Sequence, residues 1–424
     1  MRSRALCVTP WLSDFVRGLV GGLAPALLLA ALGCGDHPQA PTSPGAVPGE
    51  PATPALATGA ATAALSFRQV STGTGYACGV TADSLAYCWG YNKNGQLGDG
   101  TTTSPRLRPV AVQSGLHFRT VLAGVYHTCG IAGDGRAYCW GDNSLGQLGT
   151  GTSSPFGSPQ LTPAAVQGGL RFRNVSAGYY YTCGVTTDDR AYCWGWDHYG
   201  QLGDGTVSDV PRTTPTAVTG GLRFRLVRAG TRHACGITTA NRAVCWGDNQ
   251  YGQLGDSSNY TSRAAPVQIA GGRSYQWLDA GHEHTCAVTT DGRGFCWGNG
   301  WAGQLGTGKT YLSFWPRRVA GGLLFRNVTA GATHSCGVGT DGRSYCWGSN
   351  ESGQLGDGTT TQRRTPVAVA GGHPFDQLAG GEGFTCGLTT GARAYCWGAN
   401  GVGQLGDGTS TSPRLTPRAV VGPM

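Results

Sequence analysis

The sequence predicts an all-β fold, a seven-bladed β-propeller with four-stranded antiparallel blades. Three observations predict it. Cys-Trp-Gly recurs seven times, at Cys88, Cys139, Cys193, Cys245, Cys296, Cys346 and Cys396, spaced 50 to 54 residues apart, and self-similarity at a fixed period of this size marks a repeat architecture. Each unit carries four short stretches of strand patterning separated by glycine turns, and about 50 residues in four antiparallel strands make one propeller blade. Finally, 73 of the 424 residues are Gly, 22 are Pro and only 13% are charged, a composition of turns rather than of helices.

Taken in order, residues 1–33 read as a lipoprotein-type signal peptide. Arg2 and Arg4 precede an apolar stretch from Leu19 to Leu32 that is too short to span a bilayer as a stable helix. Ala31-Leu32-Gly33-Cys34 resembles a bacterial lipobox, with Ala31 where Leu is usual. That resemblance implies cleavage before Cys34, which is left diacylated; ordinary signal cleavage is the competing reading. Residues 34–65 are rich in Pro, Ala, Thr and Gly and hold almost no large apolar side chain, so they form a flexible tether rather than a core.

Residues 66–424 are the propeller. In the unit beginning at Phe118, FRTVLA is the first strand, ended by Gly124, and HTCGIA is the second, ended by Gly133-Asp134-Gly135. RAYCWG is the third, and a Gly-rich connection containing Gly146-Gln147-Leu148-Gly149 leads to a fourth around Pro163 to Val166. Tyr-Cys-Trp-Gly, a following Asn, Gly-Gln-Leu-Gly and Ala-Gly-x-x-His recur in this order and resemble the RCC1 (regulator of chromosome condensation) repeat family over about 350 of the 424 residues. The resemblance implies the same seven-bladed propeller. The Trp-Asp dipeptide of WD40 repeats does not recur with the period, standing only at Trp196-Asp197, and the glycine doublet of kelch repeats is absent at the second strand.

Each unit holds two cysteines ten residues apart: Cys78/Cys88, Cys129/Cys139, Cys183/Cys193, Cys235/Cys245, Cys286/Cys296, Cys336/Cys346 and Cys386/Cys396. A three-residue turn places Cys129 opposite Cys139 on neighbouring antiparallel strands, within reach of a disulfide, and an exported chain meets an oxidising environment. Seven local disulfides are expected. Zinc binding and free core thiols are the alternatives, and a lone Cys pair on a hairpin makes a poor zinc site.

With strands alternating in direction, the Gly-x-x loops between first and second strands share a face with the loops between third and fourth. The expected binding face gathers Tyr126, Tyr179, Tyr180, Trp196, Tyr199, Arg232, Tyr251, His282, Glu283 and Trp301 from these loops, and Trp, Tyr and Arg are the residues that make interface hot spots. Packing against neighbouring blades is the competing role for each of them. The opposite face carries Arg136, Arg190, Arg242, Arg293, Arg343 and Arg393 at equivalent hairpin turns, accompanied by Asp134, Asp188, Asp291 and Asp341, and is read as solvated.

His127, His233, His284 and His334 alternate with Tyr76, Tyr181 and Phe384 two residues before the first Cys, a position that asks for a flat ring with an optional hydrogen bond. His282 and His284 have no evident third metal ligand, and the Gly-Asp-Gly-Thr runs at Asp99, Asp204, Asp357 and Asp407 fit turn chemistry better than calcium. The net charge of +8 falls to +6 without the leader and is not gathered into a basic helix or run, so no nucleic-acid partner is expected. No catalytic or phosphate-binding motif is present, and neither a cofactor nor a metal is expected.

The leading functional expectation is a non-enzymatic, monomeric interaction protein of the bacterial cell envelope. A lipid on Cys34 holds it to the membrane, and its loop face docks an unknown protein. Inhibition of an extracellular enzyme and carbohydrate binding at the cell surface are the other classes. The nucleotide-exchange role associated with the family does not transfer to an exported chain.

Overall fold

A computed structural model of the chain describes residues 65–423; the leader, Cys34 and the tether up to residue 64 lie outside the described residues. Seven four-stranded antiparallel sheets follow one another, each built from four consecutive strands in the order 1-2-3-4. In the second blade these strands are Phe118–Ala123, His127–Ala132, Ala137–Gly141 and Gln160–Ala165. The seven-bladed propeller expected from the repeat is the fold.

Burial follows position in the blade. The second strand is buried at every residue, as in HTCGIA of His127–Ala132, because it lies mid-sheet with a neighbouring blade on each face; such strands lose the polar alternation of a half-exposed sheet. The fourth strand, at the outer edge, is only partly covered. The core is correspondingly divided among the blade junctions. One junction packs Cys129, Ile131 and Leu148 of the second blade against Phe172, Val175 and Trp194 of the third.

The repeated Trp and Gln form the joint itself. Trp194 is fully buried, and its Nε1–H donates to the backbone carbonyl of Gln147 in the preceding blade at 2.9 Å, the same carbonyl that accepts the Thr182 hydroxyl at 2.8 Å. Gly149 must approach this indole: its φ is +71°, and a Cβ there would lie 2.6 Å from Trp194 Nε1. The final joint is made the same way, with Trp89 Nε1 donating to the Gln404 carbonyl at 3.0 Å. Phe67, Val70 and Trp89 pack there with Phe384, Cys386 and Leu405. The ring therefore closes by packing between complete blades, with no strand exchanged between the termini.

The flat-ring position is explained by the next blade. Nε2 of His127, His233, His284 and His334 meets the hydroxyl of Thr182, Thr285, Ser335 and Thr385 at 2.8 to 2.9 Å. Each of those hydroxyls donates onward to a Gln carbonyl, so Nε2 carries the proton and Nδ1 is a bare acceptor. Where the next blade offers Ala234 or Ala77 instead, the ring is Tyr181 or Phe384. Burial pushes His127, His233 and His284 down to about 3 and His334 to about 4. These imidazoles are neutral packing elements.

All seven expected cysteine pairs are disulfides, with Cα atoms 4.0 to 4.1 Å apart and both sulfurs on directly opposed residues such as Cys129 and Cys139. They are fully buried. Each ties the two middle strands of one blade.

Candidate loop-face site

The loops between first and second strands and those between third and fourth strands meet at one end of the ring, as their backbone contacts show. Trp196 N–H donates to the Tyr180 carbonyl at 2.9 Å, and Asp142 N–H to that of Tyr126 at 3.0 Å. The Gly-Gln-Leu-Gly turn sets the second loop: the Gln201 side chain accepts from Tyr199 N–H at 2.8 Å, fixing where Tyr199 stands.

Across the second, third and fourth blades this end carries one continuous aromatic array. Tyr126 packs on Tyr179 and Tyr180 at ring separations of 5.5 and 5.4 Å, and Tyr179 lies edge-on to Tyr180 at 4.2 Å. Tyr180 meets Trp196 edge-on at 6.4 Å. Trp196 stacks on His198 at 5.7 Å with an interplanar angle of 10° and meets Tyr199 at 5.4 Å. The Arg232 guanidinium then covers the Tyr199 ring at 5.2 Å. Desolvation first, then the neighbouring Tyr179, drives the Tyr126 and Tyr180 hydroxyls above the ordinary phenol range. They remain hydrogen-bond donors at neutral pH. Except for exposed His198, the seven side chains are half-buried, so the array is a preformed apolar platform edged by hydroxyls, an imidazole and a guanidinium. Aromatic pairs of this kind contribute about 0.5 to 1.5 kcal/mol each beyond area burial.

The other expected face residues are not stacked into it, although Tyr251 and Glu283 lie within the reach of the Arg232 charge. Tyr251 and Trp301 form their own pair at 5.6 Å, with Trp301 59% exposed. Glu283 accepts from Asn299 at 2.8 Å, and burial raises its carboxyl above the usual range. His282 faces the axis, where it lines a cavity of about 420 Å³ with Arg228, Asp279 and Glu382; burial lowers its imidazole, against the pull of Glu382. The Gly-x-x loops thus split by position. The first x lines the axial cavity as Thr74, Val125, Thr231, His282, Ala332 and Glu382, and the second does not. Tyr179 departs from this, packing in the array instead of lining the cavity.

His198, one of the variable residues of the loop between third and fourth strands, joins the array, whereas sequence reasoning missed the Arg228–Asp279 pair, 3.7 Å apart in the cavity. Charges at equivalent strand positions of two adjacent repeats were the available signal for the latter. Asp279 also accepts from Thr329 and Ala330 at 2.9 and 3.0 Å, and the Arg228 guanidinium lies 5.3 Å from the Trp277 ring centre. Asp99 of the first Gly-Asp-Gly-Thr run is engaged in its own turn: its carboxylate takes up Asn92, the Thr101 amide and hydroxyl, and the Arg106 guanidinium. Among the described residues no group of three or more His, Cys, Asp or Glu is placed to hold a metal ion.

Comparison with known proteins places these features in company. The family profile described as RCC1-like domain matches residues 29–324, and profiles of the regulator of chromosome condensation (RCC1) repeat match 325–354, 375–404 and 341–388. The ultraviolet-B receptor UVR8 of Arabidopsis thaliana is 31% identical over 255 residues, covering 59% of this chain and 57% of the receptor. The E3 ubiquitin-protein ligase HERC2 of Homo sapiens is 29% identical over 253 residues, covering 58% of this chain but 5% of the ligase. The match therefore spans little more than half of one relative and a small part of the other. Yeast RCC1 (Prp20), solved with Kap60 bound, superposes with a TM-score of 0.71 at 20% identity, covering 80% of this chain and 84% of that one. Human WBSCR16 gives 0.69 at 21%, covering 76% and 87%. At these identities the structural likeness speaks to the fold alone.

Proposed function

We propose, since the chain belongs to the RCC1-like domain family, that it is a non-enzymatic protein-interaction module, exported, tethered through an acylated Cys34 and docking a protein through its loop face. The observation that carries this reading is the array from Tyr126 to Arg232. It brings Tyr, Trp and Arg from three blades into one preformed patch, the composition and rigidity that make hot spots. Seven buried disulfides support an oxidising location. Relatives support the interaction class: yeast Prp20 is described with Kap60 bound and by its binding properties to Gsp1p and histones. Those partners belong to those proteins.

The test is affinity capture from the native envelope with wild type and with Trp196→Ala/Tyr199→Ala. Wild type is expected to retain a protein that the variant loses. Identical captures from both, or turnover of a substrate abolished by one side-chain change, would overturn the reading; selective retention of a glycan would move it to the carbohydrate class.

A further inference from the structure

The end of the ring opposite the loop face carries a second set of arginines that the repeat alignment did not bring out. Arg68, Arg119, Arg173, Arg225 and Arg326 each stand second in the innermost strand of their blade, exposed, and each reaches a backbone carbonyl with a terminal guanidinium nitrogen. They hold five of the seven positions of an inner ring around the axis, Gln276 and Asp376 holding the other two. The hairpin arginines form an outer ring at the same end, because each first strand begins against the preceding blade's hairpin turn, as Phe172 N–H does on the Gly135 carbonyl at 2.7 Å.

The two ends differ in how these charges are balanced. At the loop end Asp99, Asp204, Asp256, Asp357 and Asp407 pair one to one with arginines. At the hairpin end Asp134 and Asp188 each serve two arginines, and no ion pair forms at Arg68, Arg119, Arg225 or Arg393 among the described residues. Arg173, Arg293 and Arg326 have a carboxylate each, so the hairpin end holds more arginines than carboxylates to pair them. Its guanidiniums remain reachable, with Arg136, Arg190 and Arg293 side chains 53 to 57% exposed.

We propose that this double ring is a docking face for an anionic lipid surface, with guanidiniums meeting headgroup phosphates. Charges spread around two concentric circles fit a sheet of phosphates; a linear polyanion is tracked by a stripe or groove. The described chain also enters here: Phe67 N–H bonds the Ala392 carbonyl at 2.9 Å, next to Arg393. On the tethered reading, an anchor at Cys34 would hold the end at which the described chain enters nearest the bilayer. The orientation rests on the tethered reading of Cys34; the lipid contact does not.

The full chain with Cys34→Ser, which cannot be acylated there, is mixed with vesicles of phosphatidylcholine alone or with phosphatidylglycerol added. Cosedimentation with the anionic vesicles only, declining as salt rises, is expected. Arg119→Glu/Arg225→Glu should weaken it at least tenfold, as should Arg343→Glu/Arg393→Glu on the outer ring, away from the blade joints. Lys93→Glu/Lys309→Glu, the same charge change at the loop end, should leave it intact. No binding to anionic vesicles, equal loss from the loop-end pair, or binding to heparin or duplex DNA without vesicle binding would each overturn the proposal. Acylation of the unsubstituted chain is measured separately with labelled fatty acid, so the tether and the lipid-facing ring stand or fall independently.

Discussion

Replacing His233 by Phe together with Thr285 by Ala should flatten the acid sensitivity of the fold. The pair copies the Phe384 and Ala77 junction already present between the last blade and the first. His233 is fully buried, burial lowers its imidazole to about 3, and Nδ1 has no partner among the described residues. In the unfolded chain the ring titrates near about 6.5. Because the folded value is the depressed one, the unfolded chain binds the extra proton. Stability is present above about pH 6.5 and drains as pH falls toward 3. Between pH 7 and pH 5 one such ring costs about 2 kcal/mol, and four acting independently cost about 8 kcal/mol, comparable with the net stability of many domains. Asp197, raised to about 7 by burial, acts in the opposite direction, but it is common to both proteins and cancels in their difference. Guanidinium unfolding followed by tryptophan fluorescence at the two pH values gives the comparison. Wild type should lose about 2 kcal/mol more than the variant on acidification. Parallel losses would mean that His233 is charged or hydrated in the fold, and the packing account of these rings would fail.

Two other expectations concern the joint and the cysteines. Gly149→Ala should destabilise by about 2 to 4 kcal/mol, combining a left-handed backbone with overpacking against Trp194, and the drop in denaturation midpoint measures it. Intact mass after alkylation should show no reactive thiol among the fourteen propeller cysteines until denaturation and reduction, since every sulfur is bonded and buried.

What could be read from the chain was whatever one repeat contains within itself. Strands, the hairpin that opposes Cys129 to Cys139 and the turn around Gln147 are local, and their patterning and spacing reported them. What escaped lies between repeats. Alignment states that Tyr126, Tyr180 and Arg232 are equivalent; it does not state that the rotation from blade to blade brings Tyr126 onto Tyr180 while His282 faces the axis. The inner arginines were overlooked for a related reason. Arg119 sits beside the aromatic that defines the repeat, and only the radial position of the innermost strand shows that such residues encircle the axis.

Closure through the Trp89 and Gln404 joint has a genetic consequence. Because that joint matches the other six in kind, no blade is structurally the first. The described ends meet the same short segment, Phe67 on Ala392 and Val420 on Ala394, so linking them and reopening the chain between Ala217 and Phe224 would permute the gene around an unchanged ring. The order of the coding sequence is one choice among seven.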